Sequence, residues 1–217
     1  MALALAARPE PVRIEGIDIA APYIAFASER STDARLTFLT GDAVVLDLPV
    51  GSFDRCFSLL ALNFTSDPTR ALAGVRRVTR PSGVVVAAVW DFAGGLVYQR
   101  IFRDTAAALD PEAELARSRH FASPLTGPGE LVGAFNEVGL RSVKSTSLAV
   151  RMEYGEFSDY WEPIANAEGP VGDYVKRLPP DRLETLAAAV RQAYLAGRPD
   201  GPRSMAATAW AVRGVVP

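Results

Sequence analysis

Short apolar runs alternate with amphipathic segments over the first ninety residues, and this alternation limits the fold more than any other feature. Residues 12–19 form an extended run with Val12, Ile14, Ile17 and Ile19, and three further runs, at residues 36–40, 53–60 and 84–90, are near-continuously apolar. Strands have this composition when both faces of their sheet are covered, as is usual in parallel sheets. The sequence therefore predicts an α/β fold with a mainly parallel sheet.

Proline marks the helices between these runs. Ala21-Pro22 follows the first run, and Asp67-Pro68 follows the third with an aspartate suited to capping a helix. Proline favours the first helical turn, where its missing N–H costs nothing. The second of these helices carries apolar residues at helical spacing, and we expect it to end at a turn at residues 80–83.

The second half of the chain departs from the alternation. A helix is predicted from Thr126 to Gly139, and strands at residues 143–152 and 205–212. Residues 96–121 and 156–197 are expected to be helical insertions. Ligands bind beyond the carboxyl ends of parallel strands, so such insertions are well placed as lids. No stretch is long enough to be a linker, and residues 1–217 are expected to form a single domain.

The composition of the chain limits the kinds of molecule that it is expected to bind. The formal charge is -2 over 217 residues, with no basic run of the kind that binds nucleic acid or a membrane surface. The longest apolar run is too short to span a bilayer. Cys56 is the only cysteine, which excludes an internal disulfide and fits a cytoplasmic location. A small molecule is the expected partner; nothing indicates an oligomeric state.

Two aspartates follow predicted strands. Asp18 ends the first run, where a carboxylate can accept hydrogen bonds from the ribose hydroxyls of an adenine cofactor. Asp42 follows the second run, where it can accept from an adenine amine. Each also has a purely structural interpretation, since Asp18 can cap a helix and Asp42 can belong to an ordinary turn.

The order of these motifs resembles the class I S-adenosylmethionine-dependent methyltransferases. The resemblance covers roughly the first ninety residues, and its motifs stand at residues 16–19, 41–43, 48–49, 52–54, 61–64 and 75–83. It implies a Rossmann-like sheet with a terminal antiparallel strand, for which residues 205–212 are placed. It also implies S-adenosylmethionine as cofactor and methyl transfer to a small-molecule acceptor.

The resemblance further implies roles for individual residues. Asp18 and Ile19 would hold the cofactor ribose, Asp42 and Ala43 the adenine, and Leu59 would lie against the cofactor. The transferred methyl group would lie near Asn63 and Trp90-Asp91. Beyond the resemblance, Tyr98 and His120 are candidates for contacting the substrate, and no metal site is expected.

One departure from the family concerns its glycine-rich loop. That loop follows the central first strand and lets the methionine end of the cofactor approach the backbone closely. Residues 1–8 match the second half of the helix after the loop, so loop and strand have no counterpart, and Gly94-Gly95 follows the wrong strand. We expect a truncated chain with weak or absent cofactor binding, and two strands without ladder partners.

His120 is the only histidine and could deprotonate a substrate hydroxyl. A solvent-facing histidine beside Arg117 and Arg119 is the favoured interpretation, because no partner for the ring is visible in the sequence. Tyr160 and Trp161 could line a pocket, although their helical spacing favours packing. The acids at 110, 112 and 114 are interpreted as a solvated helix start rather than a metal site.

Two alternative functions are considered. A nicotinamide-dependent oxidoreductase would share the ribose-binding acid, but the sequence has neither its Gly-x-Gly-x-x-Gly loop nor a Tyr-x-x-x-Lys pair. A non-catalytic remnant acting as a binding module would explain the missing glycine-rich loop.

Overall fold

The computed structural model describes residues 1–167 and 170–217. Residues 168 and 169, within the predicted insertion 156–197, lie outside the described residues. The strands are β1 (Ile14–Asp18), β2 (Leu36–Thr40), β3 (Phe53–Leu59), β4 (Thr79–Trp90), β5 (Arg141–Tyr154) and β6 (Arg203–Val215). The helices are α1 (Ala2–Ala6), α2 (Ala21–Glu29), α3 (Pro68–Val78), α4 (Val97–Leu109), α5 (Pro111–Phe121), α6 (Glu130–Glu137), α7 (Phe157–Ala165), α8 (Pro170–Arg177) and α9 (Pro180–Leu195).

The chain divides into two compact units. The first unit comprises residues 1–89, 129–146 and 211–217, and the second comprises residues 90–128 and 147–210. The second unit thus contains the described parts of both predicted insertions. None of the helices described combines the length and apolar character needed to cross a membrane.

Strands β1 and β2 form a two-stranded parallel sheet in the first unit. Their register pairs Ile14 with Leu36 and continues to Asp18 opposite Thr40. Gly16 is required at the centre of β1 because a Cβ atom there would lie 2.7 Å from the Phe38 ring. Helix α2 follows with proline in its first turn, as the sequence predicts.

The remaining strands have the order β3-β4-β6-β5. Strands β3 and β4 are parallel, with Leu59 opposite Ala88. The expectation of a turn at residues 80–83 is wrong, since β4 already begins at Thr79. Ser82 has a φ of 62°, and β6 runs antiparallel beside it, with the Ser82 N–H donating to the Val216 carbonyl at 3.0 Å. Residues 80–83 therefore form an irregular part of β4 and not a separate turn.

The sheet is interrupted between β1 and β3. Among the described residues, β1 pairs with β2 alone and β3 pairs with β4 alone. The expectation that the apolar strands are covered on both faces is wrong for β3, where Phe57 is 37% and Leu59 is 51% exposed. Helix α1 has only five residues and buries none of them, so it adds no cover.

The second unit has an aromatic core. Tyr160 is 1% and Tyr194 is 2% exposed, and their ring centroids are 5.2 Å apart. Trp161 packs against the same cluster, and Tyr160 donates a hydrogen bond to the Tyr98 carbonyl at 2.7 Å. The packing interpretation of Tyr160 and Trp161 is therefore the one that the structure supports.

Two helix boundaries differ from the prediction. The helix expected from Thr126 begins at Glu130, because Thr126 is buried and its hydroxyl donates to the Ser123 carbonyl at 3.0 Å. Gly139 does have a left-handed φ of 78° after the helix. The segment 96–121 is two helices separated by Asp110, whose side chain caps the second.

Arg35 ties the amino-terminal segment to the start of β2. Its guanidinium donates to the carbonyls of Ala6, Arg8 and Pro11 at 2.5–3.0 Å. Asp33 pairs with the same guanidinium at 2.7 Å, and this hydrogen-bonded partner lowers the pKa of Asp33 to about 2. One side chain thus satisfies three main-chain carbonyls at and beyond the end of α1.

We expect the substitution Arg35→Leu to loosen residues 1–11, because those carbonyls lose their shared donor. Hydrogen–deuterium exchange of peptides from this segment should then be faster than in the wild type. Arg30→Leu is the matched control, since the Arg30 guanidinium lies over the Phe26 ring at 4.9 Å instead. Equal exchange in the two variants would contradict the role given to Arg35.

Candidate functional site

The carboxyl ends of β1 and β2 bring Asp18 and Asp42 to one edge of the two-stranded sheet. Asp18 is the last residue of β1, and its carbonyl accepts a hydrogen bond from the Gly41 N–H at 3.0 Å. Asp42 follows directly after Gly41. Residues that are 24 positions apart in the chain are therefore neighbours at the main-chain level because the two strands are parallel and in register.

Both aspartates also cap local structure. Asp18 Oδ1 accepts from the Ala20 N–H at 2.8 Å before α2, and Asp42 Oδ1 accepts from the Val44 N–H at 2.8 Å. Among the described residues, the Oδ2 atoms of the two carboxylates have no hydrogen-bond donor, and both side chains are exposed. Capping uses one oxygen of each carboxylate and leaves the other for a ligand.

Ile19 and Ala43 adjoin these aspartates. Ile19 is 71% exposed beyond the end of β1. Ala43 begins a short 3-10 turn, Ala43–Val45, that Asp42 caps. The first N–H groups of a helical turn lack partners within the turn. The edge therefore offers carboxylate acceptors, main-chain donors and an exposed apolar side chain, which together suit a nucleoside.

The end of β3 is strained. Leu59 is the last residue of the strand, and Leu60 has a φ of 58°, in the left-handed region that costs a non-glycine residue about 1–2 kcal/mol. The Leu60 N–H nevertheless donates to the Ala88 carbonyl at 2.8 Å. Nothing in the sequence indicated this conformation, because leucine normally avoids it.

Asn63 lies three residues beyond Leu60 and is 3% exposed. Both its Nδ2 and Oδ1 atoms are buried, and neither has a hydrogen-bond partner among the described residues. An unmet buried polar group costs about 1–3 kcal/mol, so such a group is expected to meet an ordered water or a ligand. This is the strongest indication of a binding role at the end of β3.

The second unit contains Trp90, Asp91, Tyr98 and His120. Asp91 holds a tight turn, since its Oδ1 accepts from the Gly94 N–H at 3.0 Å and its own N–H donates to the Thr208 carbonyl at 3.0 Å. Gly95 is needed there because a Cβ atom would lie 2.7 Å from the Asp91 Cβ atom. The pair Gly94-Gly95 thus serves this turn, and Asp91 has a structural partner that the sequence did not reveal.

His120 is held in a hydrogen-bonded chain. Its Nε2 atom lies 2.8 Å from Gln99 Oε1, and Gln99 Nε2 donates to the Tyr98 hydroxyl at 3.2 Å. The imidazole also stacks against Phe92, with 4.0 Å between ring centroids. The expectation of a solvent-facing histidine is therefore wrong, and the partner, Gln99, comes from another helix.

Burial, and then the nearby charge of Arg103, lower the pKa of His120 to about 4. The imidazole is therefore neutral at pH 7. A neutral ring whose Nε2 faces a carbonyl-type oxygen carries its proton on Nε2, and its second nitrogen is an acceptor.

The acidic residues at the start of α5 have protein partners. Asp110 is 8% exposed and accepts from Arg182 at 2.9 Å and Tyr174 at 3.1 Å. Glu112 pairs with Arg177, so the interpretation as a solvated helix start is wrong for Asp110. Within residues 1–167 and 170–217, no group of three or more histidine, cysteine or acidic side chains is placed to hold a metal ion.

The strand order and the parallel pairings define an α/β protein with a Rossmann-like fold. Residues 1–87 match the family described as methyltransferase domain. This match and the fold make the chain similar, over residues 1–87, to the class I S-adenosylmethionine-dependent methyltransferases. They count against the nicotinamide-dependent alternative.

Two curated relatives illustrate the sequence similarity. Malonyl-[acyl-carrier protein] O-methyltransferase of Serratia marcescens is 38% identical over 74 residues, which cover 34% of this chain and 28% of that protein. Demethylmenaquinone methyltransferase of Thermus thermophilus is 34% identical over 112 residues, which cover 48% of this chain and 50% of that protein. The chain spans no more than half the length of either relative.

Solved structures share the fold at low sequence identity. The YcgJ protein of Bacillus subtilis superposes with a TM-score of 0.60 at 18% identity, covering 98% of this chain and 86% of that one. Phosphoethanolamine N-methyltransferase 2 of Haemonchus contortus, in complex with phosphomonomethylethanolamine and S-adenosylhomocysteine, has a TM-score of 0.54 at 14% identity, covering 94% and 43%.

We expect Asn63→Leu to stabilise the protein by about 1 kcal/mol, because leucine fills a similar volume without two unmet polar atoms. Urea unfolding followed by circular dichroism measures the change. Asn136→Leu is the matched control, since Asn136 is exposed on α6 and should change stability little. A loss of stability in Asn63→Leu would contradict the interpretation that the Asn63 amide has no hydrogen-bond partner.

Stability should also depend on the protonation of His120. The unfolded chain, with an imidazole pKa near 6.5, takes up the proton before the folded chain does. The contribution of the neutral ring is complete above pH 6.5 and is lost as the pH falls towards 4. After allowance for solvent screening, we expect it to amount to about 1–2 kcal/mol. Urea unfolding at pH 7, 5.5 and 4.5 should show this decline, and it should be smaller in His120→Gln.

Proposed function

We propose that this chain performs S-adenosylmethionine-dependent methyl transfer to a small-molecule acceptor. The observation that carries the proposal is the placement of Asp18 and Asp42 at one sheet edge, each with one carboxylate oxygen left over. This edge lies within the segment that matches the methyltransferase domain family.

The residues at this edge fit the nucleoside half of the cofactor. Asp18 would accept hydrogen bonds from the ribose hydroxyls, beside the exposed side chain of Ile19. Asp42 would accept from the adenine amine, and the Ala43 N–H would donate to a ring nitrogen. Leu59 offers apolar surface at the end of β3. All five side chains belong to the first unit.

The cofactor, when bound, supplies an electrophilic methyl group on sulfur. The role of the chain is to orient the two reactants and to exclude water. Such positioning lowers the activation barrier by several kcal/mol. Asn63, with one unmet donor and one unmet acceptor, can bind a polar group of the acceptor. Trp90, Asp91, Tyr98 and His120 remain candidates for acceptor contacts, and neutral His120 offers an acceptor nitrogen for a proton.

A small-molecule acceptor agrees with the activities named for the relatives. One of those proteins acts on demethylmenaquinone, and another acts on a malonyl group attached to a carrier protein. The near-neutral formal charge of -2 argues against a nucleic-acid substrate. A cytoplasmic location remains a prediction from the single cysteine.

The interruption between β1 and β3 favours a second candidate function. Among the described residues, β1 and β3 belong to separate sheets and share no ladder hydrogen bonds. A non-catalytic module that binds a nucleoside weakly would have this structure. The two candidates differ in whether the methionine half contributes to affinity.

Binding measurements separate these functions. We expect S-adenosylhomocysteine to raise the melting temperature and NAD to leave it unchanged. Asp18→Asn and Asp42→Asn should each weaken binding of S-adenosylhomocysteine about ten-fold, because each removes a charged acceptor. Asp47→Asn is the matched control, since Asp47 is an exposed carboxylate five residues beyond Asp42.

The same titration with adenosine tests the second candidate. Equal affinity for adenosine and S-adenosylhomocysteine would favour the non-catalytic module, whereas tighter binding of S-adenosylhomocysteine supports the enzyme. Stabilisation by NAD alone would overturn both.

A further inference from the structure

Arg103 on α4 is a partly buried cation without a counter-ion. Among the described residues, its guanidinium makes no hydrogen bond and no ion pair. The nearest carboxylate on its own helix, Asp104, is already shared by Arg100 at 2.8 Å and Arg117 at 2.5 Å. Arginine stays charged in proteins, so withdrawing part of a guanidinium from water without a counter-ion costs free energy that a bound anion would offset.

A hydroxyl donor without an acceptor lies near this cation. In the chain from His120 through Gln99 to Tyr98, His120 donates to Gln99 Oε1, and Gln99 Nε2 donates to the Tyr98 oxygen. The Tyr98 hydroxyl oxygen therefore accepts this hydrogen bond, and the hydroxyl proton is available for a different acceptor. Within the described part of the chain, this proton has no acceptor.

Gln99 connects the two groups, because its side chain donates to the Tyr98 hydroxyl and lies on the helix face of Arg103. Gln99 and Arg103 are four residues apart on α4, so their side chains share one face of that helix. His120 on α5 faces Gln99 across the contact between the two helices. Electrostatics agree with this placement, because the charge of Arg103 contributes to lowering the pKa of His120, and Arg103 also interacts with Tyr98.

We propose that Arg103 and Tyr98 bind an oxyanion, either a carboxylate or a phosphate, of a small molecule. The guanidinium fork matches two oxygens of either group, and the Tyr98 hydroxyl adds a third donor. Gln99 and His120 are positioning residues, since they hold the Tyr98 hydroxyl with its proton free. Assigning this oxyanion to the methyl acceptor rests on the proposed function, whereas anion binding itself does not.

The single histidine supplies a reporter for the test. Protein labelled with carbon-13 at histidine gives one imidazole spectrum, which is recorded at pH 7 during titration with malonate, with inorganic phosphate, and with sodium chloride at matched ionic strength. We expect malonate, phosphate or both to shift the His120 signals saturably at millimolar concentration, and chloride to leave them in place. Saturation by malonate alone identifies a carboxylate site, and by phosphate alone a phosphate site.

Variants locate the site. Arg103→Gln should weaken anion binding at least ten-fold, and Tyr98→Phe should weaken it about three- to ten-fold. Arg119→Gln removes the same charge from an exposed position next to His120 and should bind anions as the wild type does. If Arg103→Gln does not fold, Arg103→Lys keeps the charge and should weaken binding by losing the fork.

Two results would overturn the proposal: no saturable shift in the wild type with either anion, or equal affinity in the wild type and the folded Arg103 variant. Binding of S-adenosylhomocysteine is measured separately on the same proteins. Failure of the oxyanion site and failure of the cofactor site are therefore distinguishable.

Discussion

The parallel pairing of β1 with β2 is the interaction on which the candidate cofactor site depends. Its register ends with Asp18 opposite Thr40, and the Gly41 N–H continues it by donating to the Asp18 carbonyl. A shift of one residue would turn the strand side chains to opposite faces and move Asp42 along the edge. Gly16 permits this pairing because the Phe38 ring occupies the space where a Cβ atom would lie.

Two of the polar groups that enter the functional proposals have no partner among the described residues. Asn63 keeps two buried amide atoms without partners, and Arg103 keeps a charge without a counter-ion. By contrast, Asp91 and Asp110 have protein partners that account for their positions. Groups withdrawn from water without a partner destabilise a fold, so they indicate where a ligand or an ordered water is expected.

The sequence predicted the strands and most helices because their boundaries are set locally. Residues 36–40 form β2 as expected, and Asp67 caps α3 ahead of a proline. Thr126 misled the prediction because a threonine hydroxyl has the same local appearance whether it caps a helix or, as here, satisfies a buried carbonyl. The partner of His120 was missed for a similar reason, since Gln99 lies 21 residues away and no pattern links the two.

The sequence alone determined the class of fold and the strand-end positions of Asp18 and Asp42, because each follows from residue types at short range. Only the tertiary structure decided which polar groups are satisfied. It paired Asp110 with Arg182, left Arg103 beside a neutral His120, and exposed Leu59 where β3 has no further neighbour among the described residues. The burial of a side chain and its hydrogen-bond or ion-pair partner depend on elements that are far apart in the chain. A local sequence pattern therefore does not predict them.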